Sequence, residues 1–116
     1  MVERFKIVDL GFSVADAEDV SMKYDGSTLF LTFTDWQEQI INVTFENTIA
    51  FKYQEAEYYL SDAERFDCCH LVENSEWLKL HINQSMTWDS EAWDHYKLNF
   101  NADGIFEVLC SNISVQ

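Results

Sequence analysis

Cysteine and histidine side chains come together at one point of the chain, where residues 67–70 read Asp-Cys-Cys-His. Structural zinc sites need four nitrogen or sulfur ligands, commonly including two cysteines separated by two to four residues. Cys68 and Cys69 are adjacent, so on a β-strand they point to opposite faces. The remaining ligand candidates are distant in the sequence: His81, His95 and Cys110. This spacing fits zinc poorly, so we expect no metal ion and interpret the two thiols as packing residues.

Residues for nucleophilic or phosphate chemistry lack their usual surroundings. No serine stands in a G-x-S-x-G nucleophile elbow, and Gly11, Gly26 and Gly104 are too scattered to form a phosphate-binding loop. Asp94 and His95 are neighbours that would face opposite ways on a strand, which separates a base from its orienting carboxylate. The 21 acidic residues make chance carboxylate pairs inevitable. We therefore predict a non-enzymatic protein without a cofactor.

A stronger signal is acidity combined with aromatic residues in two stretches. Residues 55–64 hold four carboxylates and two tyrosines, and residues 88–96 hold three carboxylates and three aromatic side chains. Tyrosine and tryptophan are frequent interface anchors, and flanking carboxylates speed the capture of a basic partner. The predicted partner-binding residues are Glu55, Glu57, Tyr58, Tyr59, Asp62, Glu64, Trp88, Asp89, Glu91 and Trp93. In the alternative interpretation these aromatic side chains point into the core and the carboxylates are only solvated. The acidic run 16–19 has no aromatic residue nearby in the sequence, and we predict that it is a solvated turn.

The overall charge limits the classes of partner. Seven basic and 21 acidic residues in 116 give a net charge of −14, which opposes binding to nucleic acid or to an anionic membrane. The length indicates one domain spanning residues 1–116. No apolar run is long enough to cross a membrane, and the first residues lack the apolar segment of a secretory signal. We expect a cytoplasmic protein whose odd number of cysteines stay reduced.

Alternating apolar and polar residues indicate the elements that must position these side chains. Such alternation, interrupted by turn residues, is typical of antiparallel strands. It occurs in residues 20–24, 28–34, 41–45, 49–53, 95–100 and 106–110. The sequence therefore predicts an α+β fold that is mainly antiparallel β, either a curved sheet, a sandwich or a partly open barrel.

Two segments depart from this alternation. Asn74 or Ser75 can cap a helix over roughly residues 76–84, so we predict one helix near residues 75–86 that covers a sheet face. Within residues 54–67, the spacing of Ser61 and Glu64 matches a capping box and predicts a short helical turn.

The layout of the whole chain resembles the small acidic immunity-type proteins that are encoded beside bacterial polymorphic toxins. The resemblance rests on the compact β-rich domain, on the aromatic patches at Tyr58-Tyr59 and at Trp77-Leu78, and on the closing hairpin of residues 96–108, which precedes a short terminal strand. It implies stoichiometric binding that blocks a basic toxin domain, and it transfers no individual functional residue.

Two other functions remain open at this point. Pairing of an exposed strand edge would make the chain a homodimer or an assembly protein. A pocket under the helix, lined by Trp77, Trp93 and His81, would make it a small-molecule binder.

Overall fold

The computed structural model describes residues 3–54, 67–84, 93–100 and 104–115. These residues form nine β-strands and one α-helix. The strands are β1 (Arg4–Ile7), β2 (Glu18–Tyr24), β3 (Leu29–Thr34), β4 (Ile40–Glu46), β5 (Ala50–Gln54), β6 (Cys68–Glu73), β7 (Asp94–Phe100), β8 (Gly104–Cys110) and β9 (Asn112–Val115). The helix, α1 (Glu76–Gln84), lies between β6 and β7.

The strands form two sheets in which every pairing is antiparallel. One sheet has five strands in the order β1-β6-β7-β8-β5, and the other has four in the order β2-β3-β4-β9. The chain begins in the five-stranded sheet, builds most of the four-stranded sheet, returns for β5 to β8, and ends in β9. The predicted α+β fold, mainly antiparallel β, is therefore confirmed, and it takes the form of two packed sheets.

The hydrophobic core lies between the two sheets. Phe33 of β3 packs on Phe100 of β7 with ring centroids 5.5 Å apart, and Phe45 of β4 packs on Phe106 of β8 at 5.7 Å. Alternate residues of each strand point inward, as the period-two pattern predicted. The rest of the core consists of Val14, Ala17, Leu29, Leu31, Val43, Cys69, Leu98, Val108 and Cys110.

The opposite face of the five-stranded sheet is also buried. Every residue of β8 is buried, so this strand is covered on both sides. The buried residues on the outer face are His70, Val72, His95, Asn99, Ile105, Glu107 and Leu109. Helix α1 lies over this face, because the Trp77 ring is 5.2 Å from the His95 ring and the Lys52 ammonium is 4.4 Å from the Trp77 ring centroid.

The helix begins where the capping residues predicted it would. The Leu78 amide donates a hydrogen bond to Ser75 Oγ at 3.0 Å, so Ser75 is the N-cap of α1. Glu76 in the first turn suits the helix dipole. The helical turn that we predicted within residues 54–67 falls mostly on residues 55–66, outside the described residues. The alternation predicted neither β1, which is short and half charged, nor β6 and β9.

Candidate functional site

Of the ten predicted partner-binding residues, Trp93 is the one that the structure describes. The other nine fall in residues 55–66 and 85–92, outside the described residues. Trp93 is half-buried and directly precedes β7. The stretch 55–64 follows directly after β5, so its starting point in the fold is known.

The strand that leads into residues 55–64 presents aromatic side chains at a sheet edge. Phe51 and Tyr53 of the edge strand β5 are exposed, and Tyr24 of β2 is exposed beside them. The Phe51 and Tyr24 rings have centroids 5.2 Å apart. The Tyr24 hydroxyl donates a hydrogen bond to the Thr48 carbonyl at 3.3 Å, which holds the ring in place. We call Tyr24, Phe51 and Tyr53 the edge aromatics.

Trp93 lines a cavity of about 350 Å³ at the first turn of α1. The cavity lies between the end of β6, the start of β7 and the helix. Its lining combines polar and apolar side chains, which include Trp93, Asp94, Ser75, His95 and Leu78. Of the three side chains that we expected to line a pocket under the helix, Trp93 lines this cavity and Trp77 and His81 do not. The rings of Trp77 and His81 contact each other, with centroids 5.7 Å apart.

Two polar residues of this region belong to a buried hydrogen-bonded chain. Ser75 Oγ lies 2.6 Å from His95 Nδ1, and His95 Nε2 lies 2.8 Å from Glu107 Oε1. Lys52 Nζ is 3.6 Å from the second carboxylate oxygen, Oε2 of Glu107. The loop before α1, strand β7 and strand β8 each supply one buried member, while Lys52 of the edge strand β5 is exposed and pairs with Glu107 as an ion. We call Ser75, His95 and Glu107 the buried relay.

The charge on Glu107 sets the direction of its hydrogen bond with His95. Burial raises the pKa of Glu107, but the hydrogen bond with His95 and the charges of Lys52, His95 and Lys97 outweigh it, and the pKa is held below its usual value. An ionised carboxylate only accepts, so His95 Nε2 carries a proton and donates this hydrogen bond to Glu107. In the neutral ring, Nδ1 carries no proton and accepts the hydrogen bond of the Ser75 hydroxyl.

Serine, histidine and carboxylate connected in this order have the connectivity of an activated nucleophile. Two features make the buried relay better suited to holding α1 on the sheet. Ser75 is 4% exposed, and its Oγ already accepts the Leu78 amide as the helix cap. The Glu76 amide, which would be a candidate oxyanion donor, is 2.8 Å from Glu3 Oε2 and donates to it.

Cys68, Cys69 and His70 lie on the two faces of β6. Cys69 points into the core, and its burial, with smaller contributions from Cys68 and Asp9, raises the pKa of this thiol to about 12. Cys68 and His70 share the outer face, as the strand alternation predicted. His70 Nδ1 lies 3.4 Å from the amide nitrogen of Asn99. Because Cys69 lies on the core face, opposite Cys68 and His70, packing is the better account of its side chain.

The sequence missed the buried relay because its members are far apart in the chain. Ser75 was identified only as a helix cap, and His95 was considered only with its neighbour Asp94. Glu107 was the one available signal, since it interrupts the apolar run of residues 105–110. A carboxylate at a buried position needs a partner nearby, and His95 lies on the adjacent strand.

Within the part of the chain that the structure describes, no helix has the length and apolar character needed to cross a membrane. Comparison with protein families, with curated proteins and with solved structures found no match to this chain, so its function is argued from its own residues.

Proposed function

We propose that this chain is a non-enzymatic acidic protein that binds a basic protein partner. The net charge of −14 in 116 residues supplies a long-range attraction for a basic surface. Such a field raises the association rate, while aromatic anchors in the contact determine how long the complex lasts. A protein of this kind needs both features on one surface.

The observation that carries the proposal is the position of the edge aromatics. Phe51 and Tyr53 are exposed on the strand that runs directly into residues 55–64, which hold four carboxylates and two further tyrosines. Tyr24, from the other sheet, extends the same exposed surface. Aromatic side chains next to a dense acidic stretch have the composition of a surface that captures a basic protein.

The form of binding follows from the resemblance to immunity-type proteins of polymorphic toxin systems. In that form the chain occupies the active site of a basic toxin domain, or a surface beside it, in a one-to-one complex. This role requires no chemistry from the binding protein, which agrees with the interpretation of the buried relay as a tether for α1.

The experiment is a binding measurement with the basic toxin domain encoded by a neighbouring reading frame. We expect a one-to-one complex whose association rate falls as salt rises. Reversal of Glu55, Glu57, Asp62 and Glu64 to lysine should slow association about tenfold or more. Tyr58→Ala or Tyr59→Ala should instead raise the dissociation rate, because it removes an anchor and leaves the charge unchanged.

The matched control compares single charge reversals. Glu57→Lys and Glu46→Lys change the net charge equally, but Glu46 lies at the end of β4 in the four-stranded sheet. Equal slowing by both variants would mean that only net charge matters and would contradict a localised acidic surface. A complex that is insensitive to salt would contradict the proposal as a whole.

A second candidate function is binding of a small molecule in the cavity at the start of α1. The volume of about 350 Å³ lies at the lower end of the range for ligand sites, and the lining mixes Trp93 with the polar Ser75 and His95. Ligand-dependent shifts in melting temperature without any protein partner would favour this function over the first.

A further inference from the structure

The hairpin between β3 and β4 presents two large apolar side chains to solvent. Trp36 is 59% exposed and Ile40 is 69% exposed, the two highest values among the large hydrophobic residues that the structure describes. Both lie in the hairpin at one end of the four-stranded sheet. Exposed apolar surface with a polar rim is typical of protein–protein interaction sites.

The backbone of this hairpin is fixed by one buried carboxylate. Asp35 Oδ1 accepts hydrogen bonds from the amides of Gln37 at 3.0 Å and Gln39 at 2.8 Å. The Asp35 amide donates to the Gln39 carbonyl at 2.9 Å, and the Glu38 amide donates to the Asp35 carbonyl at 3.0 Å. Trp36 is therefore held on a preorganised turn, so that a partner would pay little ordering entropy to contact it.

Two acidic side chains, Glu18 and Glu38, lie in the same part of the sheet as these two apolar residues. On the outer face of the sheet, Glu18 of β2 pairs with Thr34 of β3, and Thr34 pairs with Ile40 of β4, so that the three lie in one row. Glu38 is exposed on the turn itself, two residues after Trp36. Glu18 of the acidic run 16–19, which the sequence alone predicts to be a solvated turn, thus lies in the row at the base of the hairpin that carries Trp36.

The charge of this sheet is strongly one-sided. From Asp16 to Glu46 the chain carries seven carboxylates and one basic residue, Lys23. Lys23 pairs with Phe30, further along β3 from the hairpin. The other basic side chains of the described residues belong to the five-stranded sheet or to α1: Arg4, Lys6, Lys52, Lys79 and Lys97.

We propose that Trp36, Ile40, Glu18 and Glu38 form a docking surface, the hairpin surface, for a basic segment of a protein partner. Among aromatic side chains, tryptophan forms the strongest cation–π interactions with arginine and lysine. Ile40 can contact the aliphatic part of an arginine or lysine side chain of the partner. Glu18 and Glu38 provide the complementary charge. The inference rests on the proposed function, since it assigns a second contact to the same basic partner class, and it identifies a surface that the sequence did not.

The experiment selects short random peptides displayed on phage against the wild-type chain. We expect the selected peptides to be rich in arginine and lysine and to bind less tightly as salt rises. Trp36→Ala should weaken their binding about tenfold or more, as loss of a central tryptophan anchor does. Leu80→Ala is the matched control, because Leu80 is 55% exposed on α1, outside the hairpin surface, and its truncation should leave binding unchanged.

Charge variants test the acidic part of the hairpin surface. Glu38→Lys should slow association. Glu38 has φ = 63°, and a lysine there would have the same backbone strain as the glutamate. The variant therefore changes the charge with little change in backbone preference. Glu46→Lys carries the same charge change on the same sheet, six residues along β4 from Ile40 and so about 20 Å away. We expect Glu46→Lys to slow association much less.

The outcomes separate the two proposals. Basic, salt-sensitive peptides that bind Trp36→Ala as tightly as Leu80→Ala would overturn the hairpin surface and leave the proposed function standing. A selection that enriches no basic peptides would overturn both. Because Trp36 and Ile40 are exposed, both Trp36→Ala and a second variant, Ile40→Ser, should keep the wild-type melting temperature, and each should show the loss of binding independently.

Discussion

At the scale of single residues, His95 holds the most consequential position that we find outside the core. It receives the Ser75 hydroxyl on one ring nitrogen and donates to Glu107 from the other, at 2.6 and 2.8 Å. All three side chains are buried, so loss of one member would leave a polar atom without a partner, at a cost of about 1–3 kcal/mol. The buried relay therefore connects the start of α1 to two central strands of the five-stranded sheet.

The lowered pKa of Glu107 predicts how stability depends on pH. Because the pKa is lower in the folded state, the ionised carboxylate is favoured by folding. Its contribution is fully present above the unfolded-state pKa and is lost as the pH falls through the folded-state pKa. Glu107→Gln should reduce the free energy of unfolding by about 1–3 kcal/mol at neutral pH and by less in acid. Urea unfolding from neutral pH to about pH 3 measures this difference.

Glu46→Gln serves as the control for this series. Glu46 is exposed and accepts from the Asn112 side chain, so its substitution should change stability little at any pH. If Glu107→Gln lost the same free energy at every pH, the carboxylate charge would not be what the fold uses.

At the scale of secondary structure, prediction from sequence depended on how many faces of a strand are buried. Strand β3 alternates Leu29, Leu31 and Phe33 with exposed or half-exposed residues, and the pattern was evident. Strand β6 has Cys69 buried on one face and His70 on the other, so its alternation of apolar and polar residues disappears. The helix was predictable because capping is local: Ser75 and Leu78 are three residues apart. The buried relay was not, because it needs the register between β7 and β8.

The contact between β5 and β8 depends on a glycine. Gly104 has φ = 122°, and a Cβ there would collide with the Gln54 carbonyl and lie 2.7 Å from the Tyr53 hydroxyl. Gly104→Ala should therefore lower the free energy of unfolding by about 2–5 kcal/mol, since the steric overlap adds to the backbone strain. Gly26 has φ = 103° with nothing within 4 Å of its Cβ position.

Gly26→Ala isolates the backbone part of this effect and should cost about 1–2 kcal/mol. Chemical denaturation of both variants gives the comparison. Equal losses would show that β5 and β8 can separate at Gly104 without cost.

At the scale of the whole molecule, the two sheets differ in charge. Almost all charged side chains of the four-stranded sheet and its hairpins are acidic. Five of the six basic side chains in the described residues lie on the other sheet or on α1. Composition revealed the acidity of the chain, but not this separation, because the order of strands in the two sheets decides which charges become neighbours. The register of β2 and β3 in this way places Glu18 opposite Thr34, at the base of the hairpin that carries Trp36.

Because Cys110 lies in the interior, the rate at which its thiol is alkylated measures how often the two sheets separate. Cys110 is 0% exposed between the sheets, and burial, with a smaller contribution from Asp94, raises the pKa of its thiol to about 12. Alkylation requires both access and a thiolate, so iodoacetamide should modify the half-buried Cys68 first and reach Cys110 only when the sheets separate. Mass spectrometry of the labelled peptides would time these events, with all three cysteines reacting promptly in urea. Labelling of Cys110 as fast as Cys68 in native buffer would mean that the sandwich opens on the timescale of the reagent itself.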